Sequence, residues 1–211
     1  MTRRLYLFSS DMERAPALDG CGDGDFVVDI AGVGLVDAAI GAVRAVQRHA
    51  PSEVVYVGTA GVFAGRGLDV GDALVPVNAV VLSGDVARRE MRLPRLLASE
   101  ANADPTLSEI LADTLRRAGV RVGAGLVGCT LGITESTELE QALRRSNGPV
   151  AENLEAFSVL RACQGIVPCA VVLGMTNIVG PGGGTGWKAN YASTMKRLCA
   201  ILTDQGKERR P

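Results

Sequence analysis

The sequence predicts an α/β fold: one domain with a central mixed β-sheet flanked by helices. Two patterns and a size carry this. Short apolar, β-branched runs alternate with segments whose apolar residues recur at helical spacing. The strand candidates outnumber what a helical bundle can use. A chain of 211 residues, 47% hydrophobic and 21% charged, buries a substantial core without staples.

LYLF (5–8) reads as the first strand and FVVDIAG (26–32) as the second. Leu35 to His49 has helical spacing and is stopped by Pro51. EVVYVG (53–58) is a β-branched strand ending in a GTAG turn, and ALVPVNAVVL (73–82) is another, with Pro76 marking an edge or bulge. Thr106 and Glu109 form a capping box for a helix to about Ala118. GAGLVGCTLGI (123–133) reads as a strand, and Thr137 with Glu140 as a second capping box. A helix from about Val150 to Cys163, the buried strand CAVVLG (169–174) and a helix from about Gly186 to Leu202 complete the chain. The domain is expected over 1–205, with 206–211 a frayed polar tail.

The formal charge of −1 leaves no basic footprint for nucleic acid, and 4% aromatic residues supply little for base stacking. Cys21, Cys129, Cys163, Cys169 and Cys199 are odd in number and lack C-x-x-C spacing, so neither zinc nor a disulfide framework is expected. LYLF is too short for a signal segment, and no run reaches the length of a membrane span. A cytoplasmic protein needing no metal or cofactor is the expectation.

In open α/β sheets ligands sit beyond the carboxyl ends of the strands. Ser9–Glu13, Gly58–Gly61, Gly132–Thr134 and Thr176–Gly186 fall there. The last includes GPGGGTGWK, which resembles a phosphate-binding loop but fails that pattern. Pro181 stands where the first glycine is needed, Trp187 precedes Lys188, and Ala189 replaces the hydroxyl. A mobile surface loop or a lid over another ligand remain as readings.

FSSDMERAP, DIAGVGLVDAA, YVGTAGVFAGRGLDVGDALV, VAENLEAF and VVLGMTNIVG, in that order, resemble landmarks of the nucleoside phosphorylase/nucleosidase superfamily. They are most similar to its hydrolytic branch: 5′-methylthioadenosine/S-adenosylhomocysteine nucleosidases and, more closely, futalosine hydrolases. The resemblance runs from about residue 4 to 200. It implies a nucleoside phosphorylase-like fold and an N-ribosyl hydrolase acting on a purine nucleoside, without cofactor, as a homodimer or higher homo-oligomer.

By that resemblance Glu13 is the base that activates water; N-glycosidic hydrolysis needs a carboxylate to take that proton. A solvated Glu opening a helix is the plain alternative. Glu155 resembles the Glu that binds the ribose 2′- and 3′-hydroxyls, with Leu154 in place of the Met beneath the sugar and Asn153 in place of a first Glu. Alternatively, Glu152 and Glu155 are exposed neighbours on one helix. Asn177 stands where adenine-cleaving members carry Asp. A carboxamide cannot act as general acid, but its NH₂ donates to N7 and a 6-oxo group, which points to a hypoxanthine-like base. It could equally satisfy loop backbone. Thr59 and Gly61 match the family's G-S-[AC]-G, or form a simple turn. Ile133 aligns with a residue whose backbone contacts the base, Gly132 falls where an aromatic stacks, and Trp187 could stack the base or hold the 5′-substituent.

The expected function is therefore hydrolysis of a 6-oxopurine nucleoside. A phosphorylase, for which Arg14 or Arg88 could reach phosphate, a methylthioadenosine-type nucleosidase and a non-catalytic nucleoside-binding relative are the alternatives. His49, before Pro51, reads as a helix C-terminal cap.

Overall fold

The computed structural model describes residues 3–21, 26–146 and 148–204, so the tail at 206–211 lies outside the described residues. In chain order these form β1 (Arg4–Phe8), α1 (Asp11–Leu18), β2 (Phe26–Ile30), α2 (Gly34–His49), β3 (Glu53–Val62), β4 (Ala73–Leu74), β5 (Asn78–Val81), α3 (Gly84–Ala87) and β6 (Glu100–Asn102). There follow α4 (Pro105–Arg117), β7 (Val122–Gly123), β8 (Leu126–Cys129), α5 (Thr137–Arg145), β9 (Ala151–Asn153), α6 (Ala156–Cys163), β10 (Cys169–Ile178) and α7 (Gly183–Asp204).

The strands join in one mixed sheet ordered β6-β5-β8-β9-β3-β10-β4-β7, with β1 and β2 branching from β3. Alternation explains the layers. Leu5, Leu7, Val54, Tyr56, Val171 and Leu173 face Ala38, Ala42 and Ala45 of α2 and Val159 of α6. Tyr6, Phe8, Val55, Val57, Ala170 and Val172 face Leu111 and Leu115 of α4 and Met195 and Leu198 of α7. Strands covered on both sides read as unbroken apolar runs, as these do.

The branch at β3 positions the site. β1 pairs in parallel with β3 only as far as Tyr56, whereas β9 joins the same strand antiparallel at Gly61 and Val62. β10 runs parallel along β3 from Val54 to Val62. Over Val57–Ala60 one edge of β3 therefore has no strand beside it among the described residues, and the sheet opens there.

Several expectations are corrected. GTAG is no turn: β3 continues to Val62 because β10 and β9 pair with it. The 73–82 run divides into β4 and β5 around Pro76, which lacks the N–H a continuous ladder needs. The 123–133 run divides into β7 and β8 at Gly125, whose φ of +139° turns the chain. Asp104, not Thr106, caps α4 by accepting from Leu107 N at 2.8 Å, with Pro105 at the first helical position. Ser136, not Thr137, caps α5 through Leu139 N. Residues 151–153 are strand, not the start of a helix. α7 begins three residues before Gly186, and α1 follows β1 directly. His49 ends α2, as expected, but its Nε2 pairs with Asp29 at 2.9 Å.

Helix α2 packs so tightly over the end of β2 that a Cβ on Gly41 meets the Ala31 carbonyl. At its C-terminus Ala50 takes the left-handed conformation, φ 43°, that glycine adopts without a Cβ penalty. Gly41→Ala is expected to lower unfolding free energy in urea by ~1–3 kcal/mol, and Ala50→Gly to raise it by up to ~1 kcal/mol. Equal effects of the two would contradict this packing.

Candidate functional site

At the opening in the sheet lies a cavity of about 350 Å³. Glu13, Asn177, Thr59, Gly61, Ile133, Leu154, Glu155 and Trp187, singled out from sequence, all line it. They come from α1, β3, the loop after β8, the β9–α6 junction, β10 and α7, so only the fold brings them together.

Glu13 lies in the first turn of α1 yet is only 4% exposed, which removes the solvated-helix reading. Its Oε1 accepts from Thr59 N at 3.0 Å and Thr59 Oγ1 at 2.6 Å, and its Oε2 from Ser9 Oγ at 2.7 Å. A carboxylate oxygen accepts about two hydrogen bonds, so Oε2 keeps one site for another donor. The Thr59 hydroxyl in turn accepts from Trp187 Nε1 at 2.9 Å. Trp187 is held by stacking on Tyr191, centroids 4.7 Å apart.

Glu155 is 5% exposed at the N-terminal boundary of α6. Its Oε1 accepts from Gly34 N at 3.0 Å, the first N–H of α2. Its Oε2 accepts from Tyr56 Oη and Asn153 Nδ2, each at 3.1 Å. Asn153 has more to do than its substitution for a family Glu suggested. Its Nδ2 also donates to Thr59 O at 2.9 Å, and its Oδ1 accepts from Glu155 N and Ala156 N, capping α6. Glu152 is buried in β9, not exposed on a helix beside Glu155.

Asn177 is half-buried. Its Oδ1 accepts from Thr176 Oγ1 at 3.0 Å, and its Nδ2 donates to the Ile178 backbone carbonyl at 3.2 Å. Three glycines make room for it: a Cβ on Gly61 or Gly183 would lie 2.8 or 3.0 Å from Nδ2, and one on Gly186 3.0 Å from its Cβ. The glycine-rich segment thus turns into α7 and packs against Asn177.

Burial pushes the Glu13 carboxyl above its ordinary range, with hydrogen bonds from Thr59 and Ser9 opposing. Burial does the same to Glu155; the Gly34 N–H opposes, and the nearby Glu13 charge adds to the rise. Glu152 is also raised by burial. Three carboxyl groups surround the cavity, and no described residue lining it is basic. Arg14 pairs with Asp11 at 2.5 Å, and Arg88 with Asp85 and Glu90. Among the described residues no cluster suited to a metal occurs, and no helix is long and apolar enough to cross a membrane.

Tyr56, Glu152 and the Gly34 N–H were missed as members of the site, while Ser9 was expected in the crevice and Asn153 in the sugar-binding motif without the bonds they make. The four-residue spacing of Ser9 from Glu13 is the only local signal among them; the others arrive through sheet pairing and the start of α2.

The sequence profile of the phosphorylase superfamily matches residues 21–204. The chain is 28% identical, over 167 residues, to the 5′-methylthioadenosine/S-adenosylhomocysteine nucleosidase of Chromohalobacter salexigens, covering 74% of this chain and 68% of that protein. A solved futalosine hydrolase mutant of Helicobacter pylori superposes with a TM-score of 0.87 at 16% identity, over 99% of this chain and 100% of that one. A nucleosidase variant from the same organism, with 5′-methylthioadenosine in its active site, gives 0.85 at 17% identity, over 99% of each chain. The structural matches establish the fold.

A carboxyl whose folded pKa is raised costs nothing while both states are protonated. It costs stability once the unfolded state ionises first. Stability should therefore fall as pH rises from the ordinary Glu value, about 4.3, through the raised values of Glu13, Glu152 and Glu155. Urea unfolding at several pH values should show a shallower decline in Glu155→Gln than in the wild type; an equal or steeper one would contradict the shift.

Proposed function

We propose, from the premise that the chain belongs to the phosphorylase superfamily, that it is an N-ribosyl hydrolase of a 6-oxopurine nucleoside, similar to futalosine hydrolase. The observation that carries hydrolysis is the cavity's charge: three buried carboxyl groups and no basic lining residue among those described. Such a wall stabilises positive charge on a ribosyl ring as its bond to the base lengthens, and repels a phosphate nucleophile.

In this reading a water held at the free site of Glu13 Oε2 adds to C1′ while Glu13 takes its proton. The C1′–N9 bond breaks and its electron pair leaves with the base. Glu155 has one acceptor site left, on Oε1, for a ribose hydroxyl. Leu154 packs beneath the sugar. Thr59 orients Glu13, and Gly61 lets the ligand approach the sheet. Ile133 and Trp187 border the base and the 5′-substituent. The Asn177 NH₂ turns from Ile178 O to donate to N7 and O6, holding charge on the leaving base. Neither Arg14 nor Arg88, the cations a phosphorylase would need, lines the cavity. A methylthioadenosine-type activity is the second reading, favoured by the name of the Chromohalobacter salexigens relative.

A homodimer belongs to the same proposal. Val33 at the cavity rim begins an exposed apolar stripe on α2 that continues through Val36, 71% exposed, Ile40 and Val43. A second copy laid along it would close the mouth. Sedimentation should give about twice 22.0 kDa, and Val36→Glu should shift it toward the monomer; a wild-type monomer contradicts the pairing.

Futalosine, inosine, adenosine and methylthioadenosine, each incubated with the protein and resolved into base and sugar, test the activity. Free hypoxanthine from a 6-oxopurine substrate is expected, about 10²–10⁴-fold slower in Glu13→Gln. Asn177→Asp should move preference toward 6-amino bases. Release of adenine alone by the wild type would favour the second reading.

A further inference from the structure

Four of the five cysteines meet in two hydrogen-bonded thiol pairs, Cys163 with Cys169 and Cys21 with Cys199, and all are free. The pairs differ in access. Cys163 and Cys169 are both buried, whereas Cys21 is half-buried just past the end of α1 and faces Cys199, which is 2% exposed on α7.

Backbone packing sets this second pair. Cys21 closes the turn after α1: its N–H donates to Leu18 O at 3.1 Å and its thiol to Ala17 O at 3.4 Å. One residue earlier the chain lies so close to α7 that a Cβ on Gly20 would sit 2.5 Å from the Lys196 carbonyl oxygen. Lys196, Cys199 and Thr203 recur at helical spacing and share one face of α7. Gly20 on Lys196 therefore lays Cys21 against Cys199 and Thr203, and the Cys199 thiol donates to the Cys21 sulfur.

That donated hydrogen bond brings the Cys21 thiol down to about 7, against desolvation, and the Thr203 hydroxyl adds to the effect. Cys199, which gives the proton and is buried, is pushed up. An accessible thiolate with a second thiol beside it is the arrangement in which oxidation ends in a disulfide.

We propose that Cys21 and Cys199 form a dithiol oxidation site that reacts with hydroperoxides, apart from the cavity at Glu13. The Cys21 thiolate attacks one peroxide oxygen, the O–O bond breaks and hydroxide leaves, giving Cys21 sulfenic acid. The Cys199 sulfur then attacks the Cys21 sulfur; the S–O bond breaks, and the departing hydroxide takes the Cys199 proton. In sum, two thiols and one peroxide give one disulfide and two waters, each sulfur losing one electron and the peroxide gaining both. The bond ties α1, which carries Glu13, to α7, which carries Trp187. The site does not depend on the hydrolytic reading.

The test treats the full chain with hydrogen peroxide at neutral pH, counts thiols after denaturation and maps the peptides. Titratable thiols should fall from five to three, with the Cys21 and Cys199 peptides joined, and dithiothreitol should restore all five. Cys199→Ala should stop at the Cys21 sulfenic acid, trapped by dimedone. Cys21→Ser, at a half-buried position, should lose thiols at least about tenfold more slowly than the wild type. Five thiols retained, a disulfide at Cys163–Cys169 in place of this one, or equal rates in Cys21→Ser and wild type would each overturn the inference.

Discussion

Between the departure of β1 and the arrival of β9, the Thr59 N–H and C=O face an edge without a strand. Glu13 accepts from the one and Asn153 donates to the other. A buried backbone group left unpaired costs about 1–3 kcal/mol, so these side chains complete the sheet. They also place a carboxylate and the head of the Glu155 network on opposite sides of one gap. The cavity is a hole in the ladder whose polar debts are met by the residues that line it.

The rest of the site builds outward from that gap. The Thr59 hydroxyl joins Trp187 to Glu13 in a directed chain of donors. Asn153 bonds to Glu155 and caps α6, while the first N–H of α2 fixes the other Glu155 oxygen. Burial keeps these acids costly to ionise despite the donors around them, which accounts for their raised pKa values. In the proposed hydrolysis that cost is offset, because the site meets a developing cation and not an anion. Gly183 and Gly186 serve packing: they bring α7 close enough for Asn177 and Trp187 to face the same space.

Long apolar runs were readable because both faces of the sheet are covered: β1, β2 and the first halves of β3 and β10 carry their own pattern. What depends on partners was not readable. AEN at 151–153 has no strand signal of its own and is extended only because β3 and β8 flank it. GTAG has turn composition but is held straight by β10. Caps were displaced by one or two residues, to Asp104 and Ser136, because Ser, Thr and Asp cluster at both starts. The eight site residues emerged through family resemblance, and the sheet brings them around one cavity. The burial of Glu152 and the bonds of Asn153 were hidden because burial and hydrogen bonding across strands leave no mark in local spacing.

The central claim is that water, activated beside Glu13, is the nucleophile at the sugar. Running the reaction on a 6-oxopurine nucleoside in ¹⁸O-labelled water, with and without phosphate, addresses it directly by mass spectrometry of the sugar product. The account predicts one ¹⁸O at C1 of the free sugar and a rate indifferent to phosphate. A sugar 1-phosphate formed only when phosphate is present would contradict it.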